Sequence, residues 1–540
     1  MNKKIAFIST IFISSLLTGC NLLGSSGGGN IDDTKTQIGI SNWGGGYGTE
    51  WLKSVTEQYA ELVKDKSFED GKKGVQFVLN QEKEHHDTAD KINGLTSIDI
   101  VFDEGVQYNM WQGQNVFKDI TEVLTEANPY DNNKKIIDKM SSEQKAALNK
   151  NDKYYAIPGY AGSWGIVYNK ELMDANGGLY FKEGGGFTTS SGNRTVGPDG
   201  VANTYDDGLP STFEELLTLC QAAKGKNLVP MICSGSSADT YLPATLNNLA
   251  ASYDGKDVVL GRLTCTANNV TVVDLEDKTK TEVINVTQEN GYELHRTEGL
   301  YKAFNFFEQL LAKGYMIDSN NNKSTIFDDG VTNLAAQKYF LNECPNGKKA
   351  LMLIEGDWWF NEAEEYVEEK YGSDLSSANY GFLAFPSKDG ESYRYNSLAD
   401  YCYVRKGSDN AKWEAVKDFL FYCFSDQALN NFTKITNTKW NLNYTMDAEV
   451  KASLNPFGQS LVDFYESEHN HFVEPISQDP FFIANEGIIQ PYHSTYIQIS
   501  YSKNIINFLN GQATAGYEQT AHGYIKLLHK TWQDKNIWTK

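Results

Sequence analysis

The chain has 540 residues, with 48 Lys and Arg against 70 Asp and Glu for a formal net charge of −22, and is 40% hydrophobic and 13% aromatic. An acidic surface of this size repels polyanions, which excludes nucleic acid as a first partner, and so much ring surface excludes a disordered chain. The length permits a large core and more than one domain.

The N-terminus stands apart from this composition. Lys3 and Lys4 precede the apolar run Ile5 to Leu17, which is too short to span a bilayer comfortably and is expected to be an export signal. Leu17-Thr18-Gly19-Cys20 resembles the bacterial lipobox, whose Cys is lipidated before cleavage makes it the new N-terminus. Residues 1–19 are therefore expected to be a lipoprotein signal peptide, and 20–35 a lipidated Cys20 with a Gly/Ser-rich tether. Losing residues 1–19 removes two Lys, leaving 46 basic against 70 acidic residues and a net charge of −24. No later segment is apolar for long enough to cross a membrane, so anchoring by lipid is expected. Six cysteines remain, with no C-x-x-C pair and no zinc-ribbon spacing; neither a metal nor a disulfide pairing is assigned.

In chain order, Gln37–Ser41 alternates as a strand, Gly44–Gly46 breaks it, and Trp51, Leu52, Val55, Tyr59 and Leu62 fall at helical spacing. Val75–Leu79 and Asp99–Phe102 are further strands, then Tyr154–Pro158 and Gly165–Tyr168. Ser211-Thr212-Phe213-Glu214 has the form of a capping box opening a helix stopped by Gly225. Val270–Thr287 patterns as a hairpin, Leu300–Leu311 as a helix, Ala350–Ile354 and Tyr380–Phe385 as strands, and Trp413–Cys423 and about 517–532 as helices. Strands alternating with helices predict an α/β fold with open, mostly parallel sheets and ligands at strand C-termini. Two stretches, about 177–208 and 252–295, interrupt the rhythm as insertions.

Several segments resemble the bacterial extracellular solute-binding proteins of the maltose-binding type, the sugar-binding lipoproteins of ABC importers. Ile157-Pro158 followed by Gly165–Leu172 (GIVYNKEL) is similar to that family's strand ending in Y-N-K. Pro210–Leu216 (PSTFEEL) is similar to its P-x-T-W-E-E-L helix start, with Phe213 for the Trp, and Ala350–Trp358 (ALMLIEGDW) to its A-M-x-x-x-G-x-W segment. Tyr380-Gly381 with Phe385-Pro386, and the helix 410–424 before Ser425-Asp426, complete the order. The carboxylates differ, however. Asp103 and Glu104 follow the third strand where the maltose-binding type has an aromatic, and its carboxylate near Y-N-K falls at about Gly162.

The resemblance implies a two-lobed, periplasmic-binding-protein-like (type II) fold with hinge crossovers near Tyr155–Ala161 and Ser397–Tyr403. It places lobe 1 at 36–157 plus about 400–443, and lobe 2 at 158–399 plus about 444–540. It further implies an extracytoplasmic, lipid-anchored monomer that binds a carbohydrate between the lobes and serves ABC permease and ATPase subunits, with no catalysis and no cofactor.

A sugar offers C–H faces and hydroxyls, so its site wants flat rings and planar hydrogen-bonding groups. Candidates at strand ends are Trp358 above all, then Trp43, Asp103, Glu104 and Asp357, followed by Trp164, Tyr160, Tyr241 and Asn42. Trp359 is a weaker candidate, because neighbouring side chains point apart. An EF-hand-like count over Asn203–Glu214 lacks a ligand at Tyr205, and His469 with His471 share a face only on a strand. Ala161–Gly165 lies one residue from a nucleophile elbow, but strand pattern follows the Ser where a helix is required. A glycosidase needs only two carboxylates at the right separation. An exported carbohydrate-active enzyme therefore stays an alternative, as does a receptor for a non-sugar solute.

Overall fold

Asp99 ties the start of the fold together. Its buried carboxylate accepts from the Gly39 amide at 2.9 Å, the Ser408 hydroxyl at 2.6 Å and the Lys412 ammonium at 2.8 Å. Three segments distant in sequence thereby meet at the foot of one sheet. The structure is a computed structural model that describes residues 31–81, 83, 85–86, 88–104, 108–234, 238–318, 331–372, 375–396, 399–489 and 520–538. The expected signal peptide and Cys20 lie outside the described residues.

The strands that position the site are β1 (Thr36–Asn42), β2 (Val75–Asn80), β3 (Ile100–Glu104), β4 (Ala156–Pro158), β5 (Trp164–Asn169), β6 (Val229–Cys233), β7 (Ala267–Val273), β8 (Thr281–Val286), β9 (Ala350–Gly356), β10 (Tyr380–Leu383), β11 (Ser392–Tyr395), β12 (Asp400–Val404) and β13 (Asn470–Val473). One sheet has the order β2-β1-β3-β12-β4, a second β10-β5-β9-β6. Within the first, β1 runs parallel to β2 and β3, while β12 is antiparallel to β3 and β4. Within the second, β9 is parallel to β6 but antiparallel to β5, which is also antiparallel to β10.

The sheets are thus mixed, not mostly parallel as the βα alternation predicts. The reason lies in the crossovers. The chain leaves the first sheet at Pro158 and enters the second at Trp164, and returns between Leu383 and Asp400. A strand entering from the other sheet starts at the shared end and runs away from it, against the strands that finish there, so β5 and β12 are reversed. The predicted second crossing near Ser397–Tyr403 falls partly on residues 397–398, which lie outside the described residues, and Asp400–Val404 already pairs in the first sheet.

Periodicity reads the helices well. Glu50–Leu62 buries Trp51, Leu52, Val55 and Tyr59, each apolar side chain stabilising the packed state by about 2 kcal/mol. All seven residues of β9 are buried, as expected of a strand covered on both faces. The cap of Phe213–Gly225 is shifted by one residue from its prediction. Thr212 Oγ1 accepts from the Glu215 amide at 3.1 Å, and the Glu215 carboxylate reaches back to the Ser211 amide at 2.7 Å. The β7–β8 hairpin forms as patterned, and the helix Ala521–Gln533 packs beside it, with Trp532 stacked on His295 at 4.0 Å. The six described cysteines are buried free thiols. Among the described residues no helix is long and apolar enough to cross a membrane.

Candidate functional site

The C-terminal ends of β1 and β3 face the C-terminal end of β9 and the start of β5. On the first wall, Asp103 and Glu104 part company, as successive strand residues must. Asp103 is buried and accepts from His85 Nδ1 at 2.9 Å and the His86 amide at 2.7 Å. Burial works to raise its pKa, but the histidine hydrogen bonds outweigh it and hold the carboxyl below its ordinary range. Glu104 accepts from the Tyr160 hydroxyl at 2.5 Å. Burial pushes it up to about 8 against that hydrogen bond, so it retains its proton at neutral pH. Trp43 is half-buried and stacks on His85, ring centroids 3.7 Å apart. Asn42 is buried, with its amide donating to the Trp43 carbonyl.

The second wall is aromatic. Trp164 opposes Gly356 in the β5–β9 ladder and holds Tyr241 and Trp358 edge to face, at centroid distances of 4.6 and 4.9 Å. A Cβ on Gly356 would strike the Trp358 ring at 2.1 Å, so the Gly in the Gly-Asp-Trp turn is what lets that indole fold back over the strand end. Gly45 serves Trp43 in the same way. Behind the rings, Glu355 and Glu362 share the Gln337 amide at 3.3 and 2.7 Å. Burial and the neighbouring Glu362 drive the Glu355 pKa well above the ordinary carboxylate range.

Between the walls the sheets touch. Asp357, fully buried, accepts from the hydroxyls of Tyr47, which follows β1, and Tyr465, on the helix Pro456–Glu466. Burial lifts its carboxyl to about 6 despite both bonds. Tyr47 packs on Tyr160 at 4.1 Å. A Cβ at Gly46 would lie 3.6 Å from Trp358 Cβ and 3.8 Å from Glu104 Oε1, so the best aromatic candidate and the best carboxylate stand on either side of one glycine.

Trp358, Trp164, Tyr241, Asp357, Glu104 and Tyr160 are therefore brought together. Trp43, Asn42 and Asp103 form a neighbouring group around His85. Trp359 points away from this group and packs in the core against Phe340, Tyr380 and Phe457. Sequence reasoning misses Tyr47, Tyr465, Glu355 and His85. Tyr47, an aromatic just after the Gly run, could have been found by the rule that selected Trp43; Tyr465 closes an amphipathic helix and carries no such signal. Elsewhere, His469 lies in the turn before β13 and His471 on β13, so they do not share a strand face, and both are hydrogen-bonded to Glu391, at 2.9 and 2.5 Å. Among the described residues no group of three or more His, Cys, Asp or Glu is placed to hold a metal ion. Ser163 is followed directly by β5, not a helix, so the near-match to a nucleophile elbow lacks its elbow.

Solved structures share this fold. The chitin oligosaccharide binding protein matches with a TM-score of 0.57 at 14% identity, over 92% of this chain and 98% of its own. The bacterial solute receptor AcbH, described as having an exclusive preference for β-D-galactopyranose, matches at 0.55 and 15% identity, over 92% of this chain and 100% of its own. RafE in complex with raffinose matches at 0.54 and 12% identity, over 92% and 100%, and the apo form of RafE from Streptococcus pneumoniae at 0.55. These likenesses show the fold. No curated protein sequence matches the chain. The family model of the bacterial extracellular solute-binding proteins matches residues 65–456, well over half of the chain, and the protein belongs to that family.

Proposed function

We propose that the protein is a substrate-binding lipoprotein of an ABC importer that captures a carbohydrate, an oligosaccharide by the extent of its aromatic wall, and delivers it to the permease. The observation that carries this reading is the Trp358–Trp164–Tyr241 cluster placed across Gly46 from Glu104, flat apolar rings on one side and a hydrogen-bonding group on the other. The three sugar-binding neighbours support it. Lobe 1 then comprises 36–157 with about 400–443, and lobe 2 comprises 158–399 with about 444–540. Cys20 carries the lipid at the extracytoplasmic face of the membrane, and the receptor works as a monomer without catalysing a reaction.

Ligand contacts from both lobes exist together only when the lobes close, so differential affinity for the closed state drives hinge closure. Binding then raises thermal stability by mass action. A thermal-shift screen of the mature chain over a glycan library tests the reading, with a rise in Tm for at least one oligosaccharide expected. A rise only with peptides or polyamines would overturn the ligand class, and product formed from any glycan would overturn the absence of catalysis.

A further inference from the structure

A cavity of about 290 Å³ adjoins the candidate site at Tyr465, which lines it while donating its hydroxyl to Asp357. Its walls come from Ser141 and the start of the helix Ser142–Leu148, from residues 439–443, and from the β11–β13 pair with the first turn of the helix Lys256–Thr264. Its charged lining is Lys439, Lys256 and Glu143, with His471 bonded to Glu391. The cavity is thus cationic on a chain whose net charge is −22.

Lys439 sets its character. It is 7% exposed and makes no hydrogen bond or ion pair among the described residues, its Nζ resting 5.2 Å from the centroid of the Tyr444 ring. Glu466, the acid that acts on it, is already paired with Lys451 at 2.9 Å. Elsewhere the chain pairs its buried lysines: Lys139 lies 2.6 Å from both Asp131 and Asp426, and Lys412 lies 2.8 Å from Asp99. Burial of the unpaired Lys439 disfavours its charged form and lowers its pKa, a cost that an anion brought into the cavity would offset.

Rings supply the rest of the lining. Tyr393 stacks on His471 at 4.4 Å and Tyr465 on Phe472 at 4.9 Å, with interplanar angles of 20° and 21°, and all four are partly exposed at the cavity. Asn441 and Asn443 add side-chain amides. Flat faces bordered by hydrogen-bonding groups suit a pyranose ring, and an unpaired ammonium group suits one carboxylate upon it. We infer that this cavity receives a uronic acid unit of the ligand, with its carboxylate on Lys439 and its ring against the stacked pairs. This rests on the carbohydrate reading above and specifies its substrate class, an acidic oligosaccharide.

The test compares an α-1,4-linked galacturonate trisaccharide with the neutral galactose trisaccharide of the same linkage, which carries a hydroxymethyl group for each carboxylate, by isothermal titration calorimetry of the mature chain at low salt. The acidic trisaccharide should bind at least tenfold tighter. Lys439→Met, which keeps the stem and removes the charge, should bring the two affinities within about twofold, and Lys256→Met, at the exposed rim, should reduce the ratio less. Equal or tighter binding of the neutral trisaccharide by the wild type overturns the inference even if a variant does not fold, and leaves the carbohydrate reading standing. A preference unchanged in folded Lys439→Met overturns it as well. Binding of inorganic phosphate, lost in that variant, with no binding of any glycan overturns both readings.

Discussion

Two aspartates bracket the first sheet and meet opposite fates. Asp99, at the foot of β3, is saturated by an amide, a hydroxyl and an ammonium group. Asp400, opposite the other end of the same strand, is equally buried and has no partner for either oxygen. The sheet geometry is common to both; what differs is whether the surrounding chain was built to satisfy the group. An acid completed by its own fold is a structural tie, and one buried at the start of a strand without that set of donors is a cost the fold carries.

The sharpest way to break that contrast is to remove each acid. Asp99→Ala takes the acceptor from the Gly39 amide and the Ser408 hydroxyl and leaves the Lys412 ammonium with only the Gln37 carbonyl, and should lower unfolding free energy by about 3 kcal/mol. Asp400→Asn, which discards an unpartnered carboxyl for a neutral isostere, should leave unliganded stability unchanged or raised. Denaturant midpoints at constant m-value measure both; equal losses would show that Asp400 is a structural tie as well.

Adjacent tryptophans sharpen it next. Trp359→Ala empties a core site among Phe340, Tyr380 and Phe457 and should cost about 3–5 kcal/mol of stability. Trp358→Ala should weaken glycan binding at least tenfold, about 1.4 kcal/mol. Unchanged affinity with reduced stability would instead make Trp358 a core residue.

Protons discriminate between the cleft and the rest of the molecule. Glu104 is raised from an ordinary 4.5 to about 8, chiefly by burial, so the folded state holds this proton where the unfolded chain has released it. Its contribution to stability is fully present below pH 4.5 and lost as the pH rises to about 8. Asp357, raised from 3.8 to about 6, acts in the same direction over a lower window. Unliganded Tm should therefore fall between pH 5 and pH 8, and Glu104→Gln should flatten that slope. A slope identical in the variant would show that the proton is held elsewhere.

The sequence makes most of the framework readable because periodicity and caps are local. Trp51, Leu52, Val55 and Tyr59 mark their helix by spacing alone, and the apolar run of β9 marks a strand buried on both faces. Strand direction is not local. The reversal of β5 and β12 follows from where the chain crosses, which no window of residues encodes. At the candidate site, residues next to strand ends are legible, and Trp358 and Glu104 are singled out that way and lie on either side of Gly46. Tyr465 and Glu355 are not, since one lies at a helix end and the other within an apolar strand, and only the packed fold brings them to Asp357 and Gln337. Asp400 is the clearest case. On the page it is one acid among 70, and its lack of partners is a property of three dimensions.

The smallest effect tests whether the two sheets are held together by the site itself. The Tyr47 hydroxyl crosses from the first sheet to Asp357 at the end of the second, and its ring rests on Tyr160. Tyr47→Phe keeps the ring contact and deletes one hydrogen bond to a buried carboxyl, a change of about 1–2 kcal/mol. Within either lobe nothing else is lost, so unfolding of the separate cores should be little affected. On the proposed closure mechanism, the balance between closed and open forms should instead move toward open, because this bond joins the two sheets. Small-angle scattering of the unliganded variant should show a larger radius of gyration than the wild type, with the difference removed by saturating ligand. An unchanged radius together with a lowered Tm would assign the Tyr47–Asp357 contact to static packing, and the closure mechanism would then rest on the ligand alone.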